Sequence, residues 1–334
     1  MNRLPQNNSK AKRAWIKWKN LPFGDKIFLT IVYSVVGLIT FSVLYPVWWT
    51  VIASFSEPFD VAGGKVLLLP SGFTLEAYGL IFENKTIWQA YGNTIYYTVV
   101  GTLWNLFLTL PLAYAWSRKR FYGRGILAAF FLIPMYFSGG MIPQYVWMRE
   151  LGLINTRAIL IIGGALGIGN TILVRTYFEH NIPETLYESA RIDGASEFRV
   201  FLTIALPLSL SIIAVVTLYY AVGHWSDWFG ASIYTSNMKI QPLMLLMRNI
   251  LIKNQESLGD ADGVMVDAAR RNALATTMKF GIVFVSCLPM MVAYPFVQKH
   301  FVRGTMSGSV KGCSLAHSNK KHFPVFRIPV KTEM

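Results

Sequence analysis

The segment Glu188–Pro207 reads ESARIDGASEFRVFLTIALP, and it joins a short polar stretch to the beginning of a long apolar run. Its spacing is Glu-Ser-Ala, three residues, Gly194, nine residues, and then Ile-Ala-Leu-Pro. A charged, ordered segment between two apolar runs has little structural purpose unless something outside the bilayer contacts it. The segment is therefore interpreted as a docking element.

The composition is typical of a membrane protein. The chain has 334 residues, of which 53% are hydrophobic and 14% are charged, whereas soluble domains carry about 25% charge. Six uncharged runs approach the roughly 20 residues that cross a bilayer as a helix, although the fourth is at the lower limit. They are Ile27–Ser56, Thr86–Ser117, Gly125–Met148, Ala158–Val174, Val200–Ser226 and Phe280–Gln298. Apolar and polar residues do not alternate with a period of two in these runs, as they would in membrane β-strands. We therefore predict an all-α polytopic membrane protein with six transmembrane helices.

Charge placement predicts the orientation of these helices. Residues 1–26 carry seven Lys or Arg and one acid. The loops after the second and fourth runs are also basic, through Arg118, Lys119, Arg120 and Arg124 and through Arg175, Arg191 and Arg199. By the positive-inside rule, both termini and the loop 175–199 face the cytoplasm. The net charge of +14 is assigned to topology and contact with anionic lipid, and not to nucleic acid.

The motifs of several enzyme classes are absent from the sequence. It contains no Gly-x-x-x-x-Gly-Lys-Ser/Thr, His-Glu-x-x-His, Cys-x-x-Cys or Gly-x-Ser-x-Gly. His224 and Asp227 lie near the outer end of the fifth run, where an interfacial polar cap is favoured over a proton relay. The polar segment Asp227–Lys279 is open to two interpretations, a solvated connector or a contact for an extracytoplasmic partner.

The segment Glu188–Pro207 also carries a family resemblance. The pattern Glu-Ala-Ala, three residues, Gly, nine residues, Ile-x-Leu-Pro marks the permease subunits of ABC importers. This chain matches it at Glu188, Ala190, Gly194, Ile204, Leu206 and Pro207, with Ser189 in place of the middle alanine. The wider sequence resembles the carbohydrate branch of the maltose-permease type, and the stretches 138–143, 151–156, 190–196 and 220–225 resemble a sub-branch of it that is linked to complex oligosaccharides. The resemblance covers about residues 20 to 312, and residues 313–334 do not share it.

The resemblance implies a type I ABC importer permease fold and a non-catalytic subunit in the bacterial cytoplasmic membrane. Its expected partners are a second permease, ABC ATPase subunits that carry the ATP and Mg, an extracytoplasmic sugar-binding protein and membrane lipid. No cofactor or metal is expected on this chain. The transported solute would be a sugar, with an oligosaccharide favoured. The implied ATPase-coupling residues are Glu188, Ser189, Ala190, Asp193, Gly194, Ile204, Leu206 and Pro207.

The residues around this motif predict a short helix from about Pro183 to Asp193. Pro183 suits a first helical position, and Gly194 suits a left-handed stop. Leu186, Ala190 and Gly194 share one face, and the two smaller residues would permit close approach to a partner. The Glu188 carboxylate would meet an arginine or a backbone amide there.

Other assignments concern the pathway and the domains. Substrate-pathway candidates are Asn93, Tyr136, Tyr219 and Tyr220, whose alternative role is packing against helices or lipid. We expect a basic segment over residues 1–26, a transmembrane domain over 27–312 and an atypical tail over 313–334. The rival function is an ion-coupled secondary transporter of a polar solute, which is disfavoured because none of the six runs contains Asp or Glu.

Overall fold

A computed structural model describes residues 22–137, 139–256, 269–270 and 272–292. These residues are helical with no strand, and they contain one isolated antiparallel bridge between Ser56 and Phe73. The helices are α1 Phe23–Ser54, α2 Pro58–Ala62, α3 Glu76–Glu83, α4 Lys85–Ser117, α5 Arg124–Tyr136, α6 Met141–Glu150, α7 Arg157–Ile162, α8 Ile168–His180, α9 Glu184–Ile192, α10 Glu197–Leu208, α11 Leu210–Ser226, α12 Phe229–Tyr234, α13 Leu243–Glu256 and α14 Asn272–Val292.

Three helices of the described part, α1, α4 and α14, are long and apolar enough to cross a membrane. The pairs α5 with α6 and α10 with α11 raise the number to five if each bent pair is one span. The predicted fourth span is not one helix. Its residues divide between α7 and α8 at the glycine-rich stretch 163–167, and glycine lowers helical stability by about 1 kcal/mol relative to alanine.

The chain divides into two compact units. Of the described residues, the first comprises 22–79, 269–270 and 272–284. In it the Trp49 indole donates to the Val66 carbonyl at 2.9 Å and packs edge-on against Phe280. A hydrogen bond from Ser71, with the nearby Lys65 ammonium, lowers the pKa of the Asp60 carboxyl. These contacts fold the segment after α1 into an ordered loop.

Of the described residues, the second unit comprises 80–137, 139–256 and 285–292, and α4 is its central helix. The buried side of α4 consists largely of small and polar residues, which suits close helix packing in a membrane. The Thr109 hydroxyl lies 2.7 Å from the Tyr220 hydroxyl of α11. A side chain at Gly101 would place its Cβ 2.5 Å from the His224 ring. Glycine therefore permits α11 to approach α4 at this point.

The break between α10 and α11 has a local cause. The two helices meet at an angle of 83° beside Pro207, which has no backbone N–H to donate and crowds the preceding turn. A π-helical turn at Phe201–Ala205 precedes the proline, and such turns often accompany kinks. The Ser209 amide then bonds to the Leu206 carbonyl at 3.1 Å.

The first part of the predicted polar segment 227–279 packs on α4. Asn93 donates to the carbonyls of Lys239 and Gln241 at 2.8 and 3.2 Å. Thr94 accepts from the Leu243 amide at 2.8 Å. Helix α13 buries Leu243, Leu245, Leu246 and Met247. A solvated connector is therefore the wrong description of this part, while residues 257–268 and 271 lie outside the described residues.

Candidate functional site

Helix α9 contains the beginning of the motif, Glu188–Ile192, and its end is well defined. The Ala195 amide bonds to the Ala190 carbonyl at 2.9 Å, and Gly194 has a φ of +77°. This arrangement is the hydrogen-bonding pattern of a left-handed helix stop, which glycine adopts without steric cost. The predicted helix and its stop are confirmed, with Pro183 preceding the first helical residue.

The inner face of α9 packs within this chain. Tyr187 and Ala190 are buried in one cluster with Tyr114 of α4, Phe178 of α8 and Phe201 of α10. The expectation that Ala190 presents its surface to a partner is corrected by this burial. Its small side chain instead allows α9 to lie close to the cluster.

The outer face of α9 is exposed. Glu188, Ser189, Asp193 and Gly194 are exposed, and so is Ile192, with 86% of its surface accessible. These five residues are called the docking face below. Sequence reasoning omitted Ile192, although an apolar residue among the charged positions of a short loop helix was a signal for it.

Arg118 forms the first anchor between α9 and α4. It follows the last residue of α4 and is buried. Its guanidinium carbon lies 3.7 Å from the centroid of the Tyr187 ring. The same group lies 3.8 Å from the Glu184 carboxylate and donates to the Phe178 carbonyl at 3.3 Å. A buried charge is costly without such partners, so the arginine fixes the position of α9.

Glu197 forms the second anchor. Its carboxylate accepts from Arg191 at 2.8 Å and from the Tyr114 hydroxyl of α4 at 3.0 Å. Burial raises the pKa of the Tyr187 phenol, whose ring lies beside both anchors. The two anchors connect both ends of α9 to the last turns of α4.

The second half of the motif lies on α10. Ile204 and Leu206 are half-buried and pack against the same cluster as Tyr187. Pro207 is exposed at the bend between α10 and α11. These residues therefore connect the loop to the following span.

A cavity of about 650 Å³ lies within the second unit. Two of the substrate-pathway candidates, Tyr219 and Tyr220, line it. The Tyr220 hydroxyl also accepts from the Gly167 amide at 3.2 Å. The other polar and aromatic side chains of the lining are Asn105, Gln144, His224, Ser226, Asp227, Phe229 and Tyr234. Rings and hydrogen-bonding groups that converge on one cavity suit a small polar solute.

The other two pathway candidates do not line this cavity. Asn93 is buried, and both ends of its amide are hydrogen-bonded, since its oxygen accepts from Arg157 at 3.3 Å. Tyr136 is 76% exposed at the end of α5. His224 and Asp227 line the cavity, so an interfacial cap does not describe them fully. The described residues contain no group of three or more His, Cys, Asp or Glu that could hold a metal ion.

Comparison with known proteins identifies the class. Residues 86–303 match the family model of the binding-protein-dependent transport system inner membrane component, and the chain belongs to that family. Members are permease subunits of ABC transporters, which are non-catalytic membrane components.

Two relatives and one solved structure are similar over most of their length. The chain is 37% identical to Protein LplC of Bacillus subtilis over 83% of this chain and 91% of LplC. It is 34% identical to the polygalacturonan/rhamnogalacturonan transport system permease protein YtcP of the same organism, over 86% of this chain and 99% of YtcP. In the crystal structure of a bacterial ABC transporter involved in the import of the acidic polysaccharide alginate, one chain is 31% identical to this chain. The match has a TM-score of 0.76 and covers 84% of this chain and 99% of the transporter chain.

Proposed function

We propose that this chain is one of two permease subunits in an ATP-driven importer of a sugar, most simply an oligosaccharide. An extracytoplasmic binding protein delivers the sugar, and separate ATPase subunits bind ATP and Mg. The observation that carries the proposal is the exposed docking face on a helix that two anchors hold to α4.

The docking face supplies the contact with the ATPase. Glu188 offers a carboxylate to a cation or backbone amide of the partner. Ile192 adds an apolar contact, and the absence of a side chain at Gly194 permits close approach. Ser189 and Asp193 complete this surface. Ala190 lies on the opposite, buried face, where its small side chain lets α9 pack close to the cluster. Ile204, Leu206 and Pro207 connect the loop to the bend before α11.

The anchors turn this contact into movement of the membrane helices. A docked helix transmits a displacement only if its own contacts do not yield first. Arg118 and Glu197 provide paired, partly buried contacts to α4 at both ends of α9. Helix α4 in turn packs on α11, and both helices line the cavity, so a shift of α9 reaches the cavity walls.

The cavity provides this subunit's part of the sugar pathway. Tyr219 and Tyr234 offer rings for contact with a sugar, and Asn105 and Gln144 offer amides to its hydroxyl groups. The names of YtcP and of the alginate transporter both specify polysaccharides, which supports a saccharide as the solute. The second permease would supply the rest of the pathway.

The proposed topology places six spans of the chain in the bacterial cytoplasmic membrane, with both termini and the loop 175–199 in the cytoplasm. The basic loops support this orientation. The transmembrane domain would extend over 27–312, preceded by the basic segment 1–26. The tail 313–334 lies outside the described residues and is proposed to be dispensable for transport.

An ion-coupled carrier is the second candidate, because His224 and Asp227 both line the cavity. The two candidates differ in their energy source. Uptake into vesicles that contain the purified complex should require internal ATP and survive a protonophore. Uptake that needs no ATP and stops with the protonophore would favour the carrier instead.

A further inference from the structure

A second cavity, of about 410 Å³, lies between the end of α4 and α10. Its walls are mainly apolar, and they comprise Pro111, Tyr114, Ala115, Phe121, Phe198 and Phe201. Its polar lining consists of Arg118, Arg120, Arg191 and Glu197. The cavity therefore combines an apolar interior with an excess of arginine.

The charged groups of this second cavity are unequally paired. Arg118 and Arg191 each have a carboxylate, from Glu184 and Glu197 respectively. Both oxygens of Glu197 are engaged, one by Arg191 and the other by Tyr114. Arg120 is exposed, and no carboxylate of the described residues forms an ion pair with it. The site lacks an anion opposite Arg120.

The position of the second cavity matches a bilayer boundary. Helix α4 is long and apolar enough to cross the membrane, and it ends at Ser117. The cations at 118–120 follow directly. Phe198 is 71% exposed and Phe121 is 40% exposed, so apolar rings at this end of the span are open to contact with an acyl chain. Basic pockets beside membrane helices recognise anionic headgroups.

We infer that this second cavity binds one anionic phospholipid. The phosphate lies against Arg120, and an acyl chain lies along Phe121, Phe198 and Phe201. Arg191 and Glu197 line the same cavity and form the second anchor of α9. The bound lipid therefore stiffens the connection between the docking helix and α4, and it makes coupling depend on the membrane's anionic lipid.

The test uses the assembled importer in vesicles of equal parts phosphatidylglycerol and phosphatidylcholine. A trace of photoactivatable lipid with one or the other headgroup is added, and labelled peptides are mapped by mass spectrometry. We expect phosphatidylglycerol to label residues 111–121 and 198–201 more strongly than phosphatidylcholine. Arg120→Gln should lower this preference about fivefold, since a cation near the surface contributes about 1 kcal/mol to anionic-lipid binding.

Arg199→Gln is the matched control, because Arg199 is an exposed arginine of α10 that does not line the cavity. It should leave the labelling preference unchanged. Equal labelling by both headgroups, or equal losses in the two variants, would overturn the lipid assignment. Labelling that is absent from the assembled importer and appears only after the ATPase is removed would show that the ATPase occupies the cavity instead, and would also overturn the assignment. The assay needs neither sugar nor ATP, so its result is independent of the proposed transport function.

Discussion

The guanidinium carbon of Arg118 lies 3.7 Å from the centroid of the Tyr187 ring, and this contact joins the end of α4 to the centre of α9. Both side chains are buried. The arginine also faces Glu184 and the Phe178 carbonyl. One residue thus holds three helices together directly behind the docking face, where a force applied to α9 must pass.

Loss of the Arg118 side chain should loosen α9. A desolvated cation–π contact contributes about 2 kcal/mol, so Arg118→Gln should speed amide hydrogen exchange across residues 184–192 about 30-fold. Lys119→Gln, which changes the neighbouring exposed cation, should have no such effect. Hydrogen exchange with mass spectrometry on the purified complex measures both variants. Unchanged exchange in Arg118→Gln would show that the contact does not hold the helix.

Ala190 and Ser189 should respond differently to the same enlargement. Ala190→Leu places extra atoms in a packed cluster and should lower the free energy of unfolding by about 1–3 kcal/mol. Ser189→Leu adds the same side chain on the exposed face and should leave thermal stability nearly unchanged, although it should hinder docking. Thermal unfolding of the purified chain compares them. Equal stability of the two variants would contradict the orientation of α9.

The close approach of α11 to α4 predicts a compensating pair. Gly101→Ala forces the new methyl group against the His224 ring, at an initial distance of 2.5 Å, and should lower the melting temperature of the purified complex. Adding His224→Ala removes the obstructing ring and should recover much of the loss. The two changes should therefore be non-additive. Additive losses would show that the ring does not determine the spacing of these helices.

The charge distribution predicts accessibility from each side of the membrane. In a background without Cys287 and Cys313, single cysteines at positions 65 and 260 should react with an impermeant thiol reagent applied outside intact cells. Cysteines at positions 120 and 188 should react only after the membrane is opened. The reverse pattern would overturn the orientation derived from the basic loops.

The sequence predicted α9 well because its signals are local. Its stop depends on Gly194 alone, and its beginning depends on Pro183, so neither requires knowledge of the surrounding fold. The prediction that Ala190 faces a partner was wrong, because local signals do not show which face of the helix is buried. A small side chain suits a partner groove and an internal contact equally well, and only the positions of Tyr114 and Phe201 distinguish them.

Composition was less informative where helices break or pack internally. The run Ala158–Val174 contains enough apolar residues for a span. The length of an uncharged run does not show where a helix is interrupted, so the break at 163–167 was not predicted. The packing of α13 depends on Asn93 and Thr94, which lie about 150 residues away in the sequence. The cavity combines Asn105, Gln144 and Asp227 from separate helices and loops, so no single motif could have revealed it.

The docking face is proposed to recruit the ATPase, and co-purification of the ATPase with the permease tests this role. Glu188→Lys and Gly194→Val should reach the membrane at normal levels, because both positions are exposed. Loss of one side of a charged contact costs about 2–5 kcal/mol, and valine strains the backbone at a φ of +77°. Glu150→Lys, the same reversal on an exposed residue of α6, is the control.

The measurement is the amount of ATPase that co-purifies with each variant, together with ATP-driven sugar uptake by the same preparations. We expect reduced ATPase recovery and little uptake for Glu188→Lys and Gly194→Val, and wild-type values for Glu150→Lys. A compensating charge reversal on the ATPase should partly restore Glu188→Lys. Wild-type ATPase recovery and uptake in both docking-face variants would contradict the account.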